Sequence, residues 1–422
     1  MKNEKTILDP TGIPYSEFSL SVFRDKYALH SKDGECLETD PKEALTRVEE
    51  YLSRGLSDPM IEEINYALSD GGIPAGRILA NAGSNNPRGS LINCTVSRTI
   101  EDSMEGILQA VWDAGLTLRS GAGIGYCFST LRPSGAVVSG VGAQTTGPVK
   151  FMNIFDSLTV TICAGGGRRG AQMGSFWVYH PDILSFVEAK KRDGTLRTFN
   201  ISVLIDDEFM EAVRQDKTID LVFPVSSHCV GRRVKTGYYP GIYPKYGKNK
   251  KQGLLEIYDV VSARYIWDTI LRATYEGSEP GILNYSRINE LNPLISEEEL
   301  ITTNPCGEIP LPEFGACNLG SINLVNFLTK TGDKNYYSFD MSRFGDVVFG
   351  MSFLLDRVCD LSNLPLEQQR DEIRIKRRHG LGFMGLGSTL ALLGIRYGSD
   401  ESIQWIRKLM KIMWAESQNA NH

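Results

Sequence analysis

Apolar and polar positions divide the chain into stretches of different period. Between residues 41 and 70, Leu45, Val48 and Leu52 recur at helical spacing, and a second segment starts at Asp58 after Gly55, so a helical N-terminal region with two helices is predicted. From about Gly71 to Gly174 the helical period gives way to short apolar runs between glycine-dense loops, among them 119–125, 140–142 and 165–170. Loops this rich in glycine let backbone approach a ligand closely. Phe199–Val203 alternates strictly and predicts a strand, Ile219–Phe223 reads as a mostly buried one, and helices are expected between such strands. Residues 255–276 read as helical, and Asn304–Gly320 as a loop punctuated by proline and glycine that ends in the strand-like Ser321–Leu324. Residues 340–416 read as largely helical, with Ile403, Ile406, Leu409, Met410 and Met413 on one face of the last helix. No internal repeat, low-complexity tract or linker interrupts this order, and the predicted class is α/β.

Composition narrows the function classes. With 422 residues and 41% hydrophobic content the chain can bury a large core. A net charge of -6 gives no global field for holding a polyanion, so nucleic-acid binding is disfavoured, and the basic run 243–252 reads as a solvated loop. No apolar run approaches the roughly 20 residues of a bilayer span, and the N-terminus lacks a signal-peptide core, which together predict a soluble, cytoplasmic protein without membrane contact. Eight cysteines are scattered without a Cys-x-x-Cys pair, the usage of reduced intracellular thiols. Five histidines, none paired at ligand spacing, predict no metal site built by this chain.

The most informative segment is Thr303-Asn304-Pro305-Cys306-Gly307-Glu308-Ile309-Pro310-Leu311-Pro312. Its prolines and glycine fix an irregular loop, and rigid loops present function. Asn304, Cys306 and Glu308 alternate, so in an extended segment all three project to one side and converge on one small polar molecule. A cysteine in an arbitrary loop is most often a small packing residue. Here the whole string resembles the asparagine, cysteine and glutamate loop of ribonucleotide reductases. Cys317, in Gly315-Ala-Cys-Asn-Leu-Gly-Ser-Ile-Asn-Leu324, resembles the segment that supplies one reducing thiol in that family, and Leu91-Ile-Asn-Cys94-Thr95 the strand bearing its partner. Glu279–Asn289, Gly165–Ala171 with His180-Pro-Asp-Ile183, and His379–Gly387 resemble further family segments, the last a helix-turn, so the likeness runs from about residue 20 to residue 400.

The resemblance implies a ten-stranded α/β barrel in two five-stranded halves with a central radical loop near 303–312, residues 1–75 forming the helical N-terminal region and 76–422 the catalytic barrel. It implies radical reduction of ribonucleotides to 2'-deoxyribonucleotides. Cys306 carries the thiyl radical that abstracts the 3'-hydrogen, Glu308 is the general base at the 3'-hydroxyl, Asn304 holds the sugar, and Cys94 and Cys317 deliver two electrons and end as a disulfide. Asn93, Ala122, Gly123 and Arg169 are expected to line the substrate, and Asp102, Arg132, Gly166 and Arg168 the effector, since guanidinium groups suit phosphate oxygens. Cys36, Cys127, Cys163, Cys229 and Cys359 read as packing residues.

The motifs look most like the adenosylcobalamin-dependent branch, while a branch with a ferritin-like metal-containing partner subunit shares the same catalytic residues. A dNTP or ATP effector, a thioredoxin- or glutaredoxin-type reductant and a homodimer are also implied. The N-terminal region is too short for the ATP cone of many relatives, which predicts specificity control without an on/off switch. The family's Pro-Thr-rich phosphate loop and C-terminal cysteine pair are not found before His422, so the second half-barrel reads as incomplete and a C-terminal companion polypeptide is a further expected partner. Gly380-Leu-Gly-Phe-Met-Gly385 satisfies G-x-G-x-x-G but follows Arg374-Ile-Lys-Arg-Arg-His379 rather than an apolar strand, which argues against a nicotinamide enzyme. The alternative of a non-catalytic nucleotide-binding paralogue stands against retention of all three thiols.

Overall fold

The computed structural model describes residues 15–86, 89–138, 142–162, 170–191, 195–225, 233–248, 250–332 and 336–420. They pack as two compact units. One holds the described residues up to Asn93 together with Cys317–Leu364 and those from Arg370 onward, and the other holds Cys94–Ala316 with Pro365–Gln369.

The second unit is built on five parallel strands in the order Cys94–Val96, Gly123–Cys127, Gln172–Trp177, Phe199–Ile205 and Gly281–Asn284. Parallel neighbours require crossovers, and helices Met104–Arg119, Pro148–Thr161, Ile183–Val187, Asp207–Arg214 and Ala263–Gly277 lie on them. One face of the strands is apolar. Ile124, Tyr126, Phe176, Phe199, Ile201 and Val203 pack against Ile107, Ala114, Leu118, Phe155, Ile266 and Ile270 of the helices, all buried. On the Phe199 strand the alternate positions are Asn200 and Ser202, so the alternation read from sequence separates a core face from a polar one. Within the last crossover, between helices Asp207–Arg214 and Ala263–Gly277, the chain inserts an antiparallel sheet of Thr218–Pro224, Gly253–Ser262 and Val234–Gly237, with Gly253–Ser262 central.

That central strand corrects the helical reading of 255–276, because the helix starts only at Ala263. The spacing of Leu254, Ile257 and Val261 mimics a helical stripe, but Val260 and Val261 are β-branched and the segment finds strand partners on both edges.

Aromatic side chains fill the space between this insertion and the parallel strands. Trp177 lies 5.1 Å from Tyr179 and 5.3 Å from Tyr285 by ring centroids, and Tyr238 stacks on Tyr285. Their hydroxyls end on two carboxylates: Tyr179 and Tyr238 each donate to Asp206 at 2.9 Å, and Tyr285 donates to Glu299, which also accepts from the Gly241 amide at 3.1 Å. Burial pushes Glu299 up to about 7, against the two donors that favour its anion. Because this folded-state value is raised, the associated stability is present below about pH 4.5 and is lost as pH rises through about 7. Glu299→Gln should therefore remove a loss on the order of 2–3 kcal/mol between pH 5 and 8, read as a flatter difference in urea unfolding free energy between those pH values than in the unmodified protein.

In the first unit, helices Pro41–Leu52 and Asp58–Ser69 occur where the sequence predicts them. Asp40 and Glu43 form a capping box at the first, with Pro41 as its first residue. The long helix Met341–Leu361 packs on both and on Asp400–Asn419, burying Val347, Val348, Met351, Leu354 and Leu355. Strand Ala316–Asn323 begins five residues earlier than the strand-like stretch read from sequence, and it pairs antiparallel with Gly72–Pro74 and parallel with His379–Met384. The latter pairing corrects the helix-turn expected at His379–Gly387: the six residues to Met384 are strand, and the helix waits until Leu386. On the last helix Leu409 and Met413 are buried as expected, whereas Ile403 and Met410 are exposed and Ser402 takes the buried position one turn before Ile406.

The architecture is thus mixed α/β with helices at the N-terminal end and one five-stranded parallel half. A closed barrel of ten strands is not seen among the described residues. None of the described helices is long and apolar enough to cross a membrane.

Candidate active site

The loop singled out in the sequence is the tip of a small hairpin, in which Thr302–Thr303 pairs antiparallel with Pro310–Leu311. It is not extended at its tip. Gly307 donates its amide to the Asn304 carbonyl at 3.1 Å, Asn304 and Ile309 close the base at 3.3 Å, and Gly307 takes φ +83°. Pro305 and Gly307 account for the turn, since proline presets the second position and glycine accepts the left-handed backbone that follows. The same-side argument for Asn304, Cys306 and Glu308 therefore fails as geometry, because alternation holds only along an extended strand.

The turn achieves the convergence by another route. Asn304 is fully buried, and its Nδ2 donates to Cys94 Sγ at 3.0 Å while its Oδ1 accepts from the Ile309 amide at 3.2 Å. Cys94 Sγ in turn lies 3.9 Å from Glu308 Oε1, as the donor. Cys94 opens the first parallel strand, 210 residues before Asn304 in the chain, so only the fold brings these groups together. Glu308 and Cys306 are exposed. Cys306 thus stands at the exposed tip of the turn.

The loop sits where it does because the strands beneath it lack side chains. A Cβ on Gly125 would lie 1.8 Å from the Thr303 carbonyl oxygen, and one on Gly123 2.6 Å from the Pro305 ring. Glycine inside a strand often marks such a close approach. Ser175 donates to the Ile301 carbonyl at 2.9 Å and Thr302 to the Tyr126 carbonyl at 3.1 Å, which lays the incoming segment along the strands. Asn200 donates from Nδ2 to the Pro305 carbonyl at 2.7 Å. The sequence reading named Gly123 but missed Gly125, Ser175 and Asn200; the signal available was the polar face of the Phe199 strand and the paired glycines in a buried one.

The remaining expected residues fall in several places. Ala122 is buried next to Gly123. In the first unit, Asn93 Oδ1 is buried with no hydrogen-bond partner, and a buried acceptor left so calls for an explanation. Cys317, also of the first unit, is fully buried and donates to the Asn318 carbonyl at 3.2 Å. Asp102 and Arg132 find each other: Arg132 Nε meets Asp102 Oδ2 at 2.8 Å and its backbone amide meets Oδ1 at 3.0 Å, while the helix cap is Ser103. Gly166, Arg168 and Arg169, like Cys163 and Cys229, lie outside the described residues. Of the packing cysteines, Cys127 is buried with its thiol pushed up by that burial, and burial beside Asp356 pushes Cys359 up to about 11. Cys36 is half-buried and donates to the Glu38 carbonyl. Among the described residues no cluster of His, Cys, Asp and Glu is arranged to hold a metal.

A family model described as ribonucleotide reductase, barrel domain, matches residues 92–421. A vitamin B12-dependent ribonucleoside-diphosphate reductase of Mycobacterium tuberculosis is 32% identical over 401 residues, covering 93% of this chain and 53% of that protein. One of the same name from Thermoplasma acidophilum is 34% identical over 350 residues, covering 83% and 41%. The large subunit of an Arabidopsis thaliana ribonucleoside-diphosphate reductase is 26% identical over 449 residues, covering 99% and 53%. The chain spans about half the length of these curated relatives. With most of its length matched by the barrel-domain model, the chain belongs to the ribonucleotide reductase family.

Proposed function

We propose that this chain carries the catalytic loop of a cytosolic ribonucleotide reductase acting on ribonucleoside diphosphates, the substrate named for its relatives. One observation carries the reading: Asn304 and Glu308, at the two flanks of a turn whose tip is the exposed Cys306, both reach the Cys94 sulfur.

An external initiator, when bound, supplies removal of the hydrogen atom from the Cys306 thiol, and adenosylcobalamin is favoured over a metal-containing subunit because several relatives are named as B12-dependent. The chain's own residues do the rest. Cys306 takes the hydrogen atom from C3' of the ribose, and Glu308 accepts the 3'-hydroxyl proton as general base. Asn304, fixed at both ends of its amide, holds the sugar at that position. A thiol proton converts the departing 2'-hydroxyl to water. Cys94 and Cys317 give up two hydrogens in all and end as a disulfide, which balances replacement of the 2'-hydroxyl by hydrogen, and Cys306 returns the 3'-hydrogen at the end. A thiol reductant of the thioredoxin or glutaredoxin class then reopens the disulfide.

Asn93, Ala122, Gly123 and Arg169 are proposed to line the substrate; the orphaned Asn93 acceptor favours a donor from it. Asp102, Arg132, Gly166 and Arg168 are proposed for a nucleotide effector, which must then compete with the Asp102–Arg132 ion pair. The test is formation of deoxynucleoside diphosphate by the protein carrying this sequence, with adenosylcobalamin or with a metal subunit, in the presence of dithiothreitol. Glu308→Gln should lower that rate by about 10²- to 10⁴-fold with little change in nucleotide affinity. A variant that keeps the full rate would remove Glu308 from the chemistry.

A further inference from the structure

The turn Asn304-Pro305-Cys306-Gly307 is closed by one hydrogen bond, from the Gly307 amide to the Asn304 carbonyl. Such a bond holds the two ends of a turn but leaves its central peptide, Pro305 to Cys306, free to rotate between two orientations. The two differ at the third residue: one keeps its φ negative, and the other needs φ near +80°, a conformation glycine accepts and cysteine resists. Cys306 is not among the non-glycine residues with positive φ. Which orientation the peptide takes also decides where the Cys306 side chain points, because the flip changes the backbone dihedrals on which its Cβ direction depends.

The carbonyl of that central peptide belongs to Pro305, and Asn200 Nδ2 donates to it at 2.7 Å. Asn200 lies in one cross-strand row with Met173 and Gly125, one residue on each of three adjacent parallel strands. Every member of the row meets the loop. Gly125 leaves space for the Thr303 carbonyl, the Met173 methyl lies 3.7 Å from where a Cβ on Gly307 would be, and Asn200 supplies the donor. Asn200 is also the one exposed position of a strand whose other six residues are buried. A short polar residue at that place adds nothing to the core, and its amide is spent on the peptide preceding the thiol.

We propose that Asn200 is a positioning residue for Cys306: its side-chain amide locks the Pro305–Cys306 peptide plane and thereby the direction of the thiol. The proposal rests on the functional reading of Cys306 for its effect on turnover, but not for its effect on the thiol itself. Asn200→Ala removes the donor, and Asn200→Asp keeps the shape while setting a carboxylate against the carbonyl. Since Asn200 is exposed, water replaces the lost partner and Tm should stay within about 2 °C of the unmodified protein.

The experiment measures iodoacetamide alkylation of Cys306, resolved by peptide mass spectrometry, together with kcat and KM for a ribonucleoside diphosphate. Both variants should alkylate Cys306 severalfold faster, and kcat should fall about 10- to 100-fold with KM unchanged, since misdirection of a reacting group by about an ångström costs that order. Asn200→Gln, which retains an amide N–H, should recover part of both. Wild-type alkylation and wild-type kcat in Asn200→Ala and Asn200→Asp would overturn the clamp. If alkylation changes as expected while the unmodified protein reduces no ribonucleotide under either initiator, the clamp stands and the functional reading falls.

Discussion

Cys306→Ala is expected to abolish ribonucleotide reduction, a loss on the order of 10⁴-fold or more, while nucleotide binding and folding stay as they are. The split between chemistry and binding follows from where the residue sits. Its side chain is exposed at the tip of a turn whose shape is set by Pro305, Gly307 and the bonds of Asn304, so truncation to a methyl leaves no cavity and keeps the Gly307–Asn304 and Ile309–Asn304 bonds in place. What disappears is the sulfur. Neither Asn304 nor Glu308 can replace it, because breaking the C3'–hydrogen bond by hydrogen-atom transfer needs a radical on an atom whose bond to hydrogen is comparably strong. Deoxynucleotide formation by chromatography and nucleotide affinity by calorimetry give the two readouts. Repeated turnover in the alanine variant would end the assignment of Cys306 as the radical carrier, whereas parallel loss of binding would point to collapse of the loop.

The residues proposed for the chemistry of this loop are legible in the sequence because they are local. Asn304, Cys306 and Glu308 stand in one string that admits few other readings. Their geometry was not, since alternation assumes an extended backbone and the turn bonds overrule it. Cys94 was reached only through resemblance; no spacing rule links it to a residue 210 positions away. The same physics explains the misread elements. Gly253–Ser262 has a helical-looking stripe but pairs with strands on both sides, and His379–Met384 gains its strand only by lying along Ala316–Asn323. Helices Pro41–Leu52 and Asp58–Ser69 are legible because their proline-led starts and apolar faces are encoded within a dozen residues. Arg132 illustrates a further limit: its suitability for phosphate was visible, while its commitment to Asp102 depends on a contact made 30 residues away.

Gly125→Ala should be the most damaging substitution outside the reacting groups, even though it adds a single methyl. The new Cβ would stand 1.8 Å from the Thr303 carbonyl oxygen and 3.0 Å from its carbon, and both are backbone atoms that no rotamer change can move aside. Either the strand bows away from its neighbours or residues 302–305 lift off it. Lifting breaks the bond from Thr302 to the Tyr126 carbonyl and the one from Ser175 to the Ile301 carbonyl, and it carries the turn with Cys306 away from Cys94 and Asn200. Overpacking of this kind costs about 1–3 kcal/mol, and the displaced thiol should lower kcat by about 10²-fold or more. A control separates this clash from the ordinary effect of replacing glycine. Gly387 lies in the helix Leu386–Leu392 with nothing within 4 Å of a Cβ, so Gly387→Ala should raise stability by roughly 0.5–1 kcal/mol. Urea unfolding of the two variants should therefore move in opposite directions from the unmodified protein. A Gly125→Ala protein with unchanged midpoint and unchanged turnover would mean that the loop does not lie against this strand in solution, and the cradle that holds Cys306 in place would have to be sought elsewhere.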